Sequence, residues 1–262
     1  MKGIILGIVL LSTTAAIYAQ DAADKKVQAG LVVGYGINFQ KMGTKLLQSN
    51  GVGSDLTLGA NVNFGFTETI GLSTGIEFDF ETLKYKSPSD KPVYYSYRDE
   101  NNTLVEQNKV TASDVLFRLD ERKQKPLYLS IPLMLTFRTN FIGYFRYYGK
   151  FGLRTSVLLS NKMTDTGARV TIAGVEEGAT NSNMTAKGDM FFLKSAVGAA
   201  GGAEWNFIGS TCLLAEIGYY YGFTPLHNNR KDGTEYLFNT TDGYFANQAT
   251  QSQLLFKVSV LF

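Results

Sequence analysis

The chain has 262 residues, of which 13% are aromatic and 18% are charged, with 27 glycines and one cysteine, Cys212. Its formal net charge of +2 argues against a dedicated nucleic-acid binder, which would carry a clustered basic surface. The single cysteine excludes an intrachain disulfide, and the length fits one all-β domain.

The N-terminus has the composition of a secretory signal peptide. Lys2 supplies a positive charge, residues 3–17 are apolar, and the small Ala19 stands where a signal peptidase would cut before Gln20. An apolar stretch of this length is shorter than the roughly 20 residues that a membrane-spanning helix needs. The sequence therefore predicts a signal peptide over 1–19 and an exported domain over 20–262, with a membrane anchor as the weaker alternative.

The exported domain contains eight segments in which apolar and polar residues alternate with period two, as they do in β-strands. In the first segment Leu31, Val33 and Tyr35 share one face, whereas Gly34 and Gly36 lie on the other. The predicted strands, in chain order, are 28–40, 54–66, 70–84, 127–138, 143–160, 189–205, 211–223 and 251–262.

The lengths of the segments and of their connections favour a membrane barrel over a soluble sandwich. Tilted strands that cross a bilayer need about 9–11 residues, more than the usual globular strand. Connections after segments two, four and six are short, whereas the others are long, up to the 42 residues of 85–126. Because outer-membrane barrels show this asymmetry, we predict an antiparallel up-and-down transmembrane β-barrel of about eight strands. Its predicted location is the outer membrane of a Gram-negative bacterium, with both termini in the periplasm.

Three stretches resemble a known family. Residues 127–135 (LYLSIPLML) and 147–153 (YYGKFGL) are similar to the paired-strand core of PorT-type outer-membrane barrels, and 197–204 (VGAAGGAE) is similar to their glycine-rich sixth strand. The resemblance implies the barrel fold and an outer-membrane location. Some members of that family take part in protein secretion, so it also implies other envelope or secretion proteins as partners.

The polar face of the predicted strands carries nearly balanced charge. An eight-stranded barrel is just wide enough for side chains to fill it, and charges buried there need partners. We therefore predict a network of ion pairs that closes the lumen, with an ion or proton path as the alternative. Its predicted members are the acids Glu77, Asp79, Glu81, Glu204 and Glu216 and the bases Arg138, Arg146, Lys150, Arg154, Lys194 and Lys257.

The sequence offers little for catalysis. The only histidine, His227, lies in the last long connection, and no recognisable nucleophile motif stands near it. With one histidine, one cysteine and no acidic loop of the calcium type, we expect no metal and no cofactor. The prediction is a non-enzymatic envelope scaffold or secretion accessory that contacts outer-membrane lipid and acts through its outer loops or its periplasmic turns. Passage of small solutes through the barrel and a lipid-modifying enzyme that uses His227 are the alternatives.

The longest connection, 85–126, is predicted to carry what specificity the protein has. Loops that bear tyrosines on a rigid scaffold are frequent binding surfaces. Within it, Tyr95 and Tyr97 precede the turn-like residues 99–102 and Leu104 follows them, which predicts a hairpin above the membrane. At this stage a binding role and a mere covering of the barrel mouth stay open.

Overall fold

A computed structural model describes residues 26–171, 174–208 and 211–262, so the predicted signal peptide lies outside the described residues. Within these ranges no helix is long and apolar enough to cross a membrane. The strands are β1 (Val27–Met42), β2 (Gln48–Ser49), β3 (Gly53–Gly65), β4 (Ile70–Lys86), β5 (Val93–Arg98), β6 (Thr103–Leu104), β7 (Val115–Arg138), β8 (Phe145–Val170), β9 (Glu176–Met184), β10 (Leu193–Ile208), β11 (Thr211–Gly222), β12 (Leu237–Asn239), β13 (Gly243–Phe245) and β14 (Ala249–Leu261).

Eight long strands close into an antiparallel ring. Their order is β1, β3, β4, β7, β8, β10, β11, β14, and β14 returns to pair with β1. Val33, for example, lies opposite Leu58 of β3 on one side and Val258 of β14 on the other. Because each long strand pairs with the long strands before and after it, the ring is an up-and-down barrel without open edges. The predicted fold class is confirmed.

The outer surface of the ring carries an apolar belt. Every ring strand turns exposed aliphatic or aromatic side chains outward, whereas the alternating side chains point into the lumen and are buried. Apolar outside and polar inside is the pattern of a barrel that faces lipid. One outward residue from each strand, in ring order, is Leu31, Leu56, Phe78, Leu133, Phe151, Trp205, Ile217 and Phe256.

Two ring strands continue well past their predicted bounds. β7 begins at Val115 rather than at 127, and β8 ends at Val170 rather than at 160. The two stay paired along this extension, which β5 flanks beside β7 and β9 flanks beside β8. β12 joins β5, and β6 forms the predicted hairpin with β5. We call this extension, with its flanking strands, the cap; it replaces much of the loop predicted over 85–126.

The bounds differ because apolar side chains face outward in the belt and inward in the cap, with a β-bulge of β7 between Leu119 and Glu121. Within the belt Leu133 of β7 points outward and is 51% exposed, while Ser130 is buried in the lumen. In the cap Phe117 and Leu119 of the same strand are buried inward, and Arg118 lies between them on the outer side. A sequence prediction that relies on outward apolar residues therefore ends a strand at the edge of the apolar belt, even though the strand itself continues into the cap.

The cap has a hydrophobic core of its own. The ring of Phe117 lies 5.3 Å from that of Tyr95 and 6.2 Å from that of Tyr97, measured between centroids. Met163 of β8 and Met184 of β9 join this cluster and are buried. A sheet with one apolar face covered and one polar face exposed is the arrangement of a sheet in water. The cap thus folds above the belt, at the rim opposite the short turns.

Candidate functional site

The middle of the lumen is crossed by ion pairs. Nη2 of Arg154 on β8 lies 2.7 Å from both Glu77 Oε2 and Asp79 Oδ1 on β4. Nζ of Lys257 on β14 lies 2.7 Å from Glu77 Oε1. All four side chains are buried, and β1 and β3 separate β4 from β14 in the ring. Because a buried charge without a partner costs several kcal/mol, each of these groups depends on the others.

Polar side chains complete this layer. Lys194 of β10 forms an ion pair with Glu81, whose other contacts come from the amide groups of Gln251 and Gln253, at 3.1 and 2.8 Å. The hydroxyl of Thr57 donates to Asp79 over 2.8 Å. Charge-assisted hydrogen bonds of this kind fix the positions of the carboxylates.

A second layer lies nearer the rim that holds the short turns. The guanidinium of Arg146 makes a bidentate contact with Glu204, at 2.8 and 2.7 Å, from a directly opposed position on the neighbouring strand. Lys150 Nζ lies 2.6 Å from Glu216 Oε2. Both pairs are buried, so the lumen is occupied by paired charge at two levels.

Of the eleven lumen residues predicted from the sequence, Arg138 alone forms no ion pair within the described ranges, and its buried Nε has no hydrogen-bond partner there. Asp55, which is not among the predicted residues, lies in the lumen opposite Glu81 and accepts a 3.3 Å hydrogen bond from Gln253. Its place on the polar face of the second segment was the signal that could have identified it. With Asp55 included, the lumen holds six acids and six bases.

A further ion pair, also missed on the sequence, lies inside the cap. Arg122 of β7 and Asp165 of β8 make a bidentate contact with two distances of 2.7 Å, and both are fully buried. The guanidinium carbon lies 5.1 Å from the centroid of the Tyr95 ring, and Nη1 donates to the hydroxyl of Tyr85. Both charged residues fell outside the predicted strands, which is why the alternation did not reveal them.

His227 is packed inside the cap. Its Nε2 lies 3.1 Å from the amide oxygen of Gln124 and 3.2 Å from the amide nitrogen of Asn247, and only 1% of the residue is exposed. Burial lowers the pKa of the imidazole below its usual 6.5, although the nearby Asp189 raises it. The ring is therefore neutral at neutral pH and closed off from lipid.

No group of three or more His, Cys, Asp or Glu side chains in the described ranges is arranged to hold a metal ion. The chemistry that the lumen residues offer is charge neutralisation and space filling. The geometry supports a lumen that is blocked by ion pairs more directly than it supports a binding pocket.

Replacing Arg154 by Met is expected to destabilise the barrel by about 3–5 kcal/mol, because Glu77 and Asp79 then lose a shared buried partner. Urea titration in detergent micelles, followed by the heat-dependent gel shift of folded barrels, measures the effect. Adding Asp79→Asn to the variant removes one of the two stranded charges and should restore part of the stability. An unchanged urea midpoint in Arg154→Met would contradict the proposed role of the pair.

The cap is expected to lose stability below about pH 6.5, because unfolded chains then protonate at His227 before the folded protein does. Above this pH the imidazole is neutral in both states and the contribution is fully present. Hydrogen exchange of the cap strands between about pH 7.5 and about pH 5 measures this loss. His227→Gln keeps an amide partner for Gln124 and cannot titrate, so its pH dependence should be smaller than that of the wild type. Equal dependence in both proteins would exclude His227 as the cause.

Comparison with known proteins agrees with this architecture. The model of the family described as outer membrane protein beta-barrel domain matches residues 18–228. Among solved structures the chain is similar to OprG of Pseudomonas aeruginosa (12% identity, TM-score 0.45, covering 92% of this chain and 98% of that one). It is also similar to Ail of Yersinia pestis (12%, 0.35, 91% and 100%) and to neisserial surface protein A (11%, 0.33, 91% and 98%). No curated protein matches the sequence. The family match covers most of the chain, and the protein therefore belongs to the outer membrane protein beta-barrel family.

Proposed function

We propose that this protein is a non-conducting, non-enzymatic scaffold of the outer membrane that holds its cap outside the cell for contact with other envelope or secretion proteins. The observation that carries the proposal is the filled lumen. Ten charged side chains from five ring strands form ion pairs there, and all ten are buried. A solute that crossed the barrel would have to separate these pairs in a medium of low dielectric constant.

The cap supports the same conclusion at the other end of the lumen. Its aromatic core and the buried pair of Arg122 with Asp165 lie above the ion pairs of the lumen. Passage of small solutes or ions, the alternative function, therefore requires both the ion pairs of the lumen and the core of the cap to open. The alternative of lipid modification requires His227 to reach a substrate, and its burial between two amide groups speaks against that.

The partner surface is placed on the cap because lipid covers the outer wall of the barrel. A groove of about 650 Å³ on the cap is lined by Lys86, Pro88, Tyr94, Arg118 and Asp120, among others. It combines an aromatic side chain with charges of both signs, which suits contact with another protein. The narrower resemblance to PorT-type barrels fits this proposal, since secretion components are the partners that it implies.

Purified protein in planar lipid bilayers is expected to give no steady conductance. A double variant, Arg154→Ala with Glu77→Ala, removes two side chains that fill the lumen and should leak ions. This variant shows that the assay detects an opened barrel. A steady single-channel current from the wild type would favour solute passage over the scaffold.

The partner contact is tested with a photocrosslinking side chain placed in the cap groove at Tyr94, in living cells. The matched position is Tyr144, which is 73% exposed near the short-turn rim. A discrete protein adduct is expected at Tyr94 and should be absent or different at Tyr144. If Tyr94 gives no adduct under conditions in which Tyr144 does, the cap is not the contact surface.

A further inference from the structure

Just above the apolar belt, three neighbouring ring strands turn a strongly basic surface outward. It begins where the lipid-facing residues Phe80 of β4, Leu127 of β7 and Leu159 of β8 end. We call this surface the lysine patch, and its outward residues are Thr82, Lys84, Lys86, Glu121, Lys123, Lys125, Lys162, Thr164 and Thr166.

The strand register places like charges face to face. Lys84 of β4 lies directly opposite Lys123 of β7, and Lys125 of β7 lies directly opposite Lys162 of β8. Opposed like charges on neighbouring strands destabilise a sheet unless something neutralises them. Only Lys86 has an acid opposite, Glu121. Five lysines and one glutamate give the patch a net charge of +4, which exceeds the +2 of the whole chain.

The protein itself does not supply the neutralising charge in the described ranges. The lysine ion pairs found there are made by Lys109, Lys150, Lys194 and Lys257, and none of them belongs to the patch. Lysine ammonium groups beside hydroxyl donors suit the oxygens of a phosphate. Lys123 has such a hydroxyl neighbour, because Thr164 lies opposite it on β8.

The height of the patch indicates where the anion comes from. Lysine stems that start at the edge of an apolar belt lie along it and place their ammonium groups at the level of the lipid headgroups. Lys123 and Lys125 stand about 7 Å apart along β7, so the two opposed pairs can share one headgroup or hold two adjacent ones. On β14 the outward residues near this level are Thr250 and Ser252, and Lys41 of β1, which lies opposite Thr250, is a single lysine there. The directly opposed lysine pairs of this surface lie on β4, β7 and β8.

We propose that the lysine patch binds the anionic, phosphate-bearing headgroup of a lipid in the leaflet on the cap side. The proposal rests on the membrane position of the belt. The patch shares Lys86 with the cap groove, whereas the four lysines of the opposed pairs lie outside that groove. The bound lipid neutralises the opposed lysine pairs and fixes the depth and rotation of the barrel at that sector.

The test compares the full mature protein in nanodiscs of phosphatidylcholine alone and of phosphatidylcholine with phosphatidylglycerol. The measured quantity is the temperature at which the folded gel band is lost, with native mass spectrometry to count retained lipid. The patch variant carries Lys84→Gln, Lys123→Gln, Lys125→Gln and Lys162→Gln. The control variant removes the same charge at exposed positions elsewhere, with Lys45→Gln, Lys91→Gln, Lys187→Gln and Lys231→Gln.

Anionic lipid should raise the unfolding temperature of the wild type and of the control, and the patch variant should keep less than half of that rise. Retained phosphatidylglycerol should fall by about tenfold in the patch variant alone. In phosphatidylcholine the patch variant should match or exceed the wild type, because the repulsion between opposed lysines is gone. This comparison separates loss of the site from a failure to fold.

Three outcomes would overturn the proposal. An unchanged rise in the patch variant would mean that these lysines do not bind the lipid. An equal loss in both variants would assign the effect to general surface charge. The same stabilisation by inorganic phosphate in phosphatidylcholine nanodiscs would make the occupant a soluble anion and not a headgroup.

Discussion

Backbone hydrogen bonding in lipid is the constraint on which the rest of this structure depends. A strand that crosses a bilayer must pair on both edges, because lipid offers no partner for an exposed amide or carbonyl group. The register from Gly30 opposite Leu261 to Met42 opposite Ala249 closes the ring between β1 and β14 and meets that requirement. Closure with eight strands then gives a narrow lumen, which is only wide enough for side chains to fill.

Inside that lumen, charge and volume are balanced together. Arg154 joins Glu77 to Asp79, and glycines on β10 leave room for large rings from the neighbouring strands. A Cβ atom at Gly198 would lie 2.3 Å from the ring of Tyr220, and one at Gly202 would lie 2.7 Å from the hydroxyl of Tyr148. The lumen is thus filled by aromatic and paired charged side chains, and this filling is the physical basis of the proposal that the barrel does not conduct.

The sequence was sufficient to predict the strands of the belt but not those of the cap, for one physical reason. Alternation locates a strand only when the side that faces the apolar medium is known. At Leu133 that medium is lipid, on the outside; at Phe117 it is the cap core, on the inside. Most of the lumen acids and bases were found because they share the polar face of belt strands; Asp55 lies on the same face and was overlooked. Arg122 and Asp165 were not found, because residues 120–125 of β7 are polar on both faces, so no alternation marks them as a strand. Their pairing also depends on a register that no local signal encodes.

The pairing of β7 with β8 continues from belt to cap through β-bulges at Leu127/Tyr128 and Leu119/Glu121, and this continuity has a mechanical consequence. The part of β7 between Val115 and Pro126 can reach about 40 Å at the usual rise per residue, and it is hydrogen-bonded to β8 along this length. The two strands stay paired on both sides of each bulge, so the cap is joined to the barrel by a two-stranded sheet and not by a single loop. Torque applied to the cap is transmitted to the barrel wall, and the orientation of the barrel in its lipid surroundings limits the directions from which the cap can be approached.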